Sequence, residues 1–205
     1  MPRLAEARDA AEPSSVEQRA RYGRILDAAA VLASEKELER VQMHEVAKSA
    51  GVAIGTLYRY FPSKTHLFVA VMVDQIDQMG VGLTKRPKGT GSPADAVYEI
   101  LLRATRALLR RPMLATAMIQ SAATSNAATI PDVAKIDQHF DAQLLDAAGI
   151  ANPSVRDTTV IRLIVSLWFG LIQSSLNGRA SIPEIESDLR IACDLLLADL
   201  TGTVH

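Results

Sequence analysis

The stretch that decides the fold is GVAIGTLYRYFPSKTHLF, Gly51 to Phe68. The chain of 205 residues holds one Trp, four Tyr and four Phe. Three of these, Tyr58, Tyr60 and Phe61, fall within four positions, beside Arg59 and just before Lys64. Upstream, the pattern of Met43 to Ala50 predicts a short helix, and Gly51 can take the left-handed conformation that ends it. A second short helix is expected from Ala53 to Tyr60, because Pro62 biases Phe61 toward extended backbone. Ser63 can cap the longer helix that follows. Ala47 is small enough for two helix axes to cross closely, and Val46, Ala50, Val52 and Leu57 are placed to share a small core. Two short helices joined by AGVA read as a helix-turn-helix, whose second helix would lie in a DNA major groove.

Lys64 adds a separate signal, since a lysine in the first turn of a helix opposes the helix dipole. A helix N-terminus attracts phosphate through its free N–H groups, and a lysine beside it would complete a phosphate clamp. Tyr58 and Tyr60 bring hydroxyls on rigid rings, suited to phosphates or to packing on a thymine methyl. Phe61 is expected to anchor the short helix to the core. Gly55 costs helix stability but lets the backbone approach DNA. Aromatic residues near a turn also fit plain core roles, and these features alone leave both readings open.

Outward from this stretch the chain reads as a string of helices. Ser15 can cap the first, with Gln18 three residues on, and Tyr22, Ile25, Leu26, Ala29 and Leu32 make its apolar stripe. The helix capped by Ser63 should end near Gly80 to Gly82. Further helices are expected over 93–109, 113–123, 132–148, 154–177 and 184–200, separated by GLTKRPKGTGSP, RRP, TSNAATIP, GIANP and GRASIP. The expectation is all-α, about nine helices without strands. Residues 1–14 are expected to form a disordered tail, 15–62 a three-helix helix-turn-helix DNA-binding domain, and 63–205 a second, larger helical domain.

Composition narrows the function. The hydrophobic share is 48% and the net charge −1, so a real core forms and any nucleic-acid contact must come from a local patch. A lone cysteine, Cys193, rules out an internal disulfide and fits a cytoplasmic location. The first residues lack the apolar core of a signal peptide. The most apolar run, Val160 to Leu176, carries Arg162, Ser166 and Gln173 and reads as a buried helix rather than a membrane span. Asp137 and Asp141 share a helix face that His139 leaves, so no metal site is expected. No catalytic motif and no cofactor-binding motif is present.

VAKSAGVAIGTLYRYFPSKTHLF, Val46 to Phe68, resembles the helix-turn-helix signature of the TetR family of bacterial transcriptional repressors. The match includes Gly51, Val52, Gly55, Thr56, Leu57, Tyr58, Tyr60, Phe61, Ser63, Lys64 and Leu67. The resemblance implies that 63–205 is a ligand-binding and dimerisation domain, and that the protein is a homodimer on a double-stranded DNA operator with a small effector. It makes Tyr58, Tyr60 and Lys64 backbone contacts, lets Thr56 touch base or phosphate, and places Ile54 and Arg59 at readout positions. Gln42 and His44 occupy places where the family often contacts DNA. Two departures stand out: Ala53 replaces the usual capping Ser or Thr, and RVQM replaces the Gly-Thr pair before the second helix. RRPMLATAM and GRASIPEIESDLRIACDLLLADL extend a looser resemblance to actinobacterial repressors of sterol and lipid breakdown, implying a steroid-like or acyl-CoA effector.

The later half carries no motif of that strength. Ile185, Leu189, Ala192, Leu196 and Leu200 make one stripe on the last helix, and Ser166, Gly170 and Ser174 repeat every four residues on the helix before it. An ordinary intramolecular core accounts for them as well, but a helix-turn-helix reading a palindrome needs a dimer, so these are the candidates for the dimer interface. Leu101, Leu102, Thr105, Met113, Met118, Ile119, Phe140, Leu144, Trp168 and Phe169 are the candidates for an apolar effector pocket, although ordinary core packing also accounts for them. The rival reading is an all-helical carrier or enzyme for apolar ligands, with purely structural N-terminal helices.

Overall fold

A computed structural model describes residues 10–83, 92–125, 130 and 132–198. Among these residues there are nine α-helices and no strand. They are α1 Val16–Glu35, α2 Met43–Ser49, α3 Ile54–Tyr60, α4 Lys64–Leu83, α5 Pro93–Leu109, α6 Pro112–Ala123, α7 Asp132–Ala147, α8 Val155–Leu176 and α9 Ile182–Leu196. A 3-10 turn at Leu38–Arg40, not anticipated from the sequence, leads into α2. The expected tail is described only from Ala10, while Leu200 and most of the 82–93 and 124–131 loops lie outside the described residues.

Serine caps set most helix starts. Ser15 Oγ accepts the Gln18 N–H at 3.2 Å, while Gln18 Oε1 accepts from both N and Oγ of Ser14. Ser92, Ser154 and Ser181 form reciprocal boxes with Asp95, Asp157 and Glu184. Those serine contacts hold all three carboxyls below the ordinary range, with the Arg190 guanidinium the larger influence at Asp95. α9 starts two residues before the sequence-based estimate. Its Pro183 sits in the first turn, where a missing N–H leaves no helical bond unmade.

The described chain divides into two compact units. The first comprises residues up to 74 together with 113–133, and so contains α1 to α3, the start of α4, and α6. Its core includes Ile25, Ala29, Val46, Leu57, Phe61 and Phe68. α2 packs on α1 and α3, as the small Ala47, 3% exposed, permits. The second unit comprises 75–112 and the chain from 134 onward. There α5, α8 and α9 pack together pairwise around Val97, Leu101, Ile161, Ile164, Ile172, Ile185 and Leu189. Bidentate Arg106–Glu186 bonds at 2.8 and 3.1 Å and an Arg190–Asp95 pair at 2.7 Å tie α5 to α9.

α8 departs from the expected buried helix. It is long and apolar enough to cross a membrane by length and composition, but only 28% of its apolar 18-residue stretch is buried. Ile161, Ile164, Val165, Trp168 and Ile172 face inward, and Leu163 and Leu167 remain exposed.

Candidate functional site

The site begins with the turn between α2 and α3. Gly51 has φ 65°, which L side chains rarely adopt. Arg24 Nε donates to the Ala50 carbonyl at 3.3 Å, bracing that turn from α1. Behind α3, Leu57 is fully buried and Tyr22 meets Tyr60 edge-on at 5.6 Å and Phe61 at 4.8 Å. The other side of the helix is bare. Ile54, Gly55, Tyr58 and Arg59 are all exposed, along a ~140° arc at 100° per residue. Ala53 supplies no capping bond, but α3 still forms.

The N-terminal end of α2 borders this surface in sequence, with Gln42 and His44 exposed. Glu45 fixes that end: its carboxylate accepts from Lys36 Nζ at 2.6 Å and from the Gln42 N–H at 3.2 Å. The Lys36 ammonium, then the Gln42 N–H, hold the Glu45 carboxyl below its usual range. The Gln42 position therefore ends a braced helix even without the Gly-Thr pair.

Two of the expected contact residues have partners within the protein. Tyr60 is 2% exposed, and its hydroxyl accepts from Arg59 Nη2 at 3.0 Å, with the guanidinium 4.9 Å above the ring. In the free chain it packs as a core residue whose hydroxyl and ring position Arg59. Lys64 Nζ donates to the carbonyls of Leu38 at 2.8 Å and Glu39 at 3.2 Å. Its ammonium is engaged in clasping the 3-10 turn, which also explains a lysine at a helix start where the dipole opposes it. Thr56 is half-buried.

In the second unit, Leu101, Thr105, Phe140, Leu144 and Trp168 are buried, as is Leu102, while Phe169 is half-buried. Phe140 lies 5.2 Å from Trp168, which lies 4.9 Å from Phe169. Trp168 Nε1 donates to Thr105 Oγ1 at 2.8 Å, and Thr105 Oγ1 donates to the Leu101 carbonyl at 2.8 Å. In the first unit Met118 and Ile119 are buried, but Met113 is 38% exposed and does not belong to an enclosed lining.

The interface candidates divide by face. Ile185 and Leu189 are fully buried in the protomer, where α9 meets α5 and α8, so they are core and not interface. Ser166 and Gly170 are exposed, and Ser174 and Leu196 half-buried. Leu163, Leu167, Ile191 and Leu195, not singled out from the sequence, are between 39% and 75% exposed on the same two helices. Leu167, Asp188, Ile191, Ala192, Leu195 and Leu196 line an open groove of about 330 Å³. Cys193 is buried, and desolvation pushes its thiol up to about 12, so it is inert at neutral pH.

A braced two-helix motif with a bare second helix defines a helix-turn-helix DNA-binding protein. Comparison with known proteins carries this further. The family described as "Bacterial regulatory proteins, tetR family" matches residues 25–71, and "Tetracyclin repressor-like, C-terminal domain" matches 90–196. The HTH-type transcriptional repressor KstR of Rhodococcus jostii is 36% identical over 189 residues, covering 91% of this chain and 87% of that protein. KstR of Mycobacterium tuberculosis is 31% identical over 188 residues, 92% of this chain and 86% of that one. The crystal structure of a TetR transcriptional regulator from Rhodococcus sp. RHA1 is 68% identical, with TM-score 0.86 over 90% of this chain and 100% of that chain. The chain belongs to the TetR family of transcriptional regulators and is a TetR-type repressor.

Proposed function

We propose that this repressor acts as a homodimer on a palindromic operator, placing two copies of α3 in successive major grooves, and is released by a small apolar effector. The observation that carries the proposal is the bare arc of Ile54, Gly55, Tyr58 and Arg59 over a braced core. Ile54 lies at the N-terminal end of α3, where helix-turn-helix proteins meet base edges. Tyr58, Gln42 and His44 serve backbone contacts, with Arg59 set by Tyr60.

Exposed Leu163, Leu167, Ile191 and Leu195 support pairing of α8 and α9 with their copies, since exposed apolar residues clustered on one face mark an interface. The small Ser166 and Gly170 on that face of α8 would let two helices approach closely. Inner residues such as Phe140, Leu144 and Trp168 suit an apolar effector, and the similarity to KstR supports the steroid-like or acyl-CoA class. Effector binding then respaces the two heads, and affinity falls because both half-sites are no longer engaged together. As a regulator of the cell's own DNA it would act in the cytoplasm.

The test is fluorescence anisotropy on the DNA upstream of its own gene against random duplex, at two salt concentrations, with steroid and acyl-CoA compounds added. Selective binding released by a compound is expected. Equal binding to random duplex would overturn the operator reading, and selective binding that no compound releases would overturn the effector class.

A further inference from the structure

We propose that Gln143 on α7 is the polar reader of the effector, and that the effector presents a hydroxyl group which Gln143 Oε1 accepts. This rests on the apolar-effector reading above and specifies its chemistry.

Gln143 Nε2 donates to the Ile76 carbonyl on α4 at 3.3 Å. That bond orients the amide, since the reversed amide would set oxygen against oxygen. Oε1 is therefore fixed as the acceptor end. It is buried, and no donor among the described residues reaches it. The other buried polar groups of this unit satisfy one another: Trp168 Nε1 is spent on Thr105, and Thr105 on Leu101. Asp157 is spent on Ser154. Buried acceptors are paired in folded proteins, so a single open one asks for a donor.

The surroundings say what kind of molecule brings it. Phe140 lies one helical turn before Gln143 on α7 and Leu144 follows it, both buried, and Phe140 stacks against Trp168. A ligand here is apolar over most of its surface and donates one hydrogen bond. An ether or ester oxygen at the same place would meet Oε1 lone pair to lone pair. The same carboxamide also grips α4 through Ile76, and one helical turn before it His139 Nδ1 lies 3.2 Å from Asp77 Oδ1. A group that engages Oε1 thus acts directly on a polar tie between α7 and α4.

Trp168 is the only tryptophan and stacks against Phe140, so its emission reports binding. The probes are two matched pairs, hexadecanol with its methyl ether and cholestanol with its methyl ether, titrated into full-length protein. The wild type should bind at least one alcohol about tenfold tighter than its ether, because a site built around a hydrogen bond rejects the analogue that lacks it. Gln143→Leu should erase that preference while binding the ether as the wild type does. Thermal melting of Gln143→Leu by circular dichroism, together with its retained binding of the ether, guards against a variant that fails to fold. Equal binding of alcohol and ether by the wild type, or a preference that survives Gln143→Leu, overturns the proposal. If the wild type binds no member of either pair, the apolar-effector reading falls and the proposal falls with it.

Discussion

Gly55 separates a structural role from a DNA-binding role by the sign of two effects. It is the second residue of α3, is exposed, and has an ordinary helical backbone, since positive φ is confined to Gly51, Gly149 and Gly178 among the described glycines. No heavy atom lies within 4 Å of where its Cβ would stand. Nothing in the free protein therefore requires glycine there. Glycine inside a helix costs about 0.5–1 kcal/mol relative to alanine, and a first-turn position takes the lower end. Gly55→Ala should stabilise the protein by about 0.5 kcal/mol, raising the melting temperature by about 1–2 °C for a chain of this size. On DNA the sign reverses, because the new methyl stands within the bare arc, between Tyr58 and Arg59. Each loss of about 1.4 kcal/mol is a factor of ten in affinity, and a dimer meets the methyl at both half-sites, so weakening of at least about tenfold is expected. Thermal melting by circular dichroism gives the first quantity and anisotropy on the operator the second. A higher melting temperature with undiminished affinity would show that this backbone does not approach DNA. A lower melting temperature would refute the account of α3 itself.

Lys64→Met should lower stability by about 1–2 kcal/mol, the smaller end because the Leu38 carbonyl keeps its bond from the Val41 N–H. The salt slope of operator binding should stay unchanged, and a slope that falls by about one per half-site would instead make Lys64 a phosphate contact. Thr105→Val leaves the Trp168 N–H buried without an acceptor and should cost about 1–3 kcal/mol in urea unfolding; a neutral result would refute the Thr105–Trp168 bond. The folded-state pKa of Asp157 is depressed, so its contribution is present above the unfolded carboxylate range near ~4 and lost as pH falls through the folded value. Asp157→Asn should therefore destabilise the protein at neutral pH and flatten its acid unfolding; an unaltered acid limb would refute this. Gly170→Leu, at an exposed position where a Cβ meets nothing, should leave melting of the protomer intact yet yield monomers by analytical ultracentrifugation, and a persistent dimer would place the interface elsewhere.

The helix-turn-helix was legible because each of its local signals is stated by single residues. Gly51 marks the turn, Pro62 the stop, Ser63 the next cap, and Ala47 the crossing, and none of these needs the rest of the chain to be interpreted. The partners of Tyr60 and Lys64 within the protein were not legible, because they are residues distant in sequence. Tyr60 turns inward to Tyr22 from α1, and Lys64 reaches back to carbonyls 25 and 26 residues earlier. Residue type alone suggested phosphate contacts for both, and chain geometry gave their polar groups protein partners.

α9 shows a different limit. Its apolar positions fall on two faces, Ile185, Leu189 and Ala192 on one, Ile191 and Leu195 on the other. Both keep helical spacing, and periodicity reports that a face is apolar without reporting what it meets. The stripe chosen from sequence was the longer one, and it proved to be the face turned to α5 and α8. Length is what an inner face should show, because it must follow two neighbouring helices along most of its course. The shorter outer pair lies beside Asp188 on the open groove, which fits the proposed interface, since a face that meets water before pairing carries polar groups at its rim. For a helix with two apolar faces in a regulator of this kind, the interface is therefore better sought on the stripe interrupted by charge than on the continuous one.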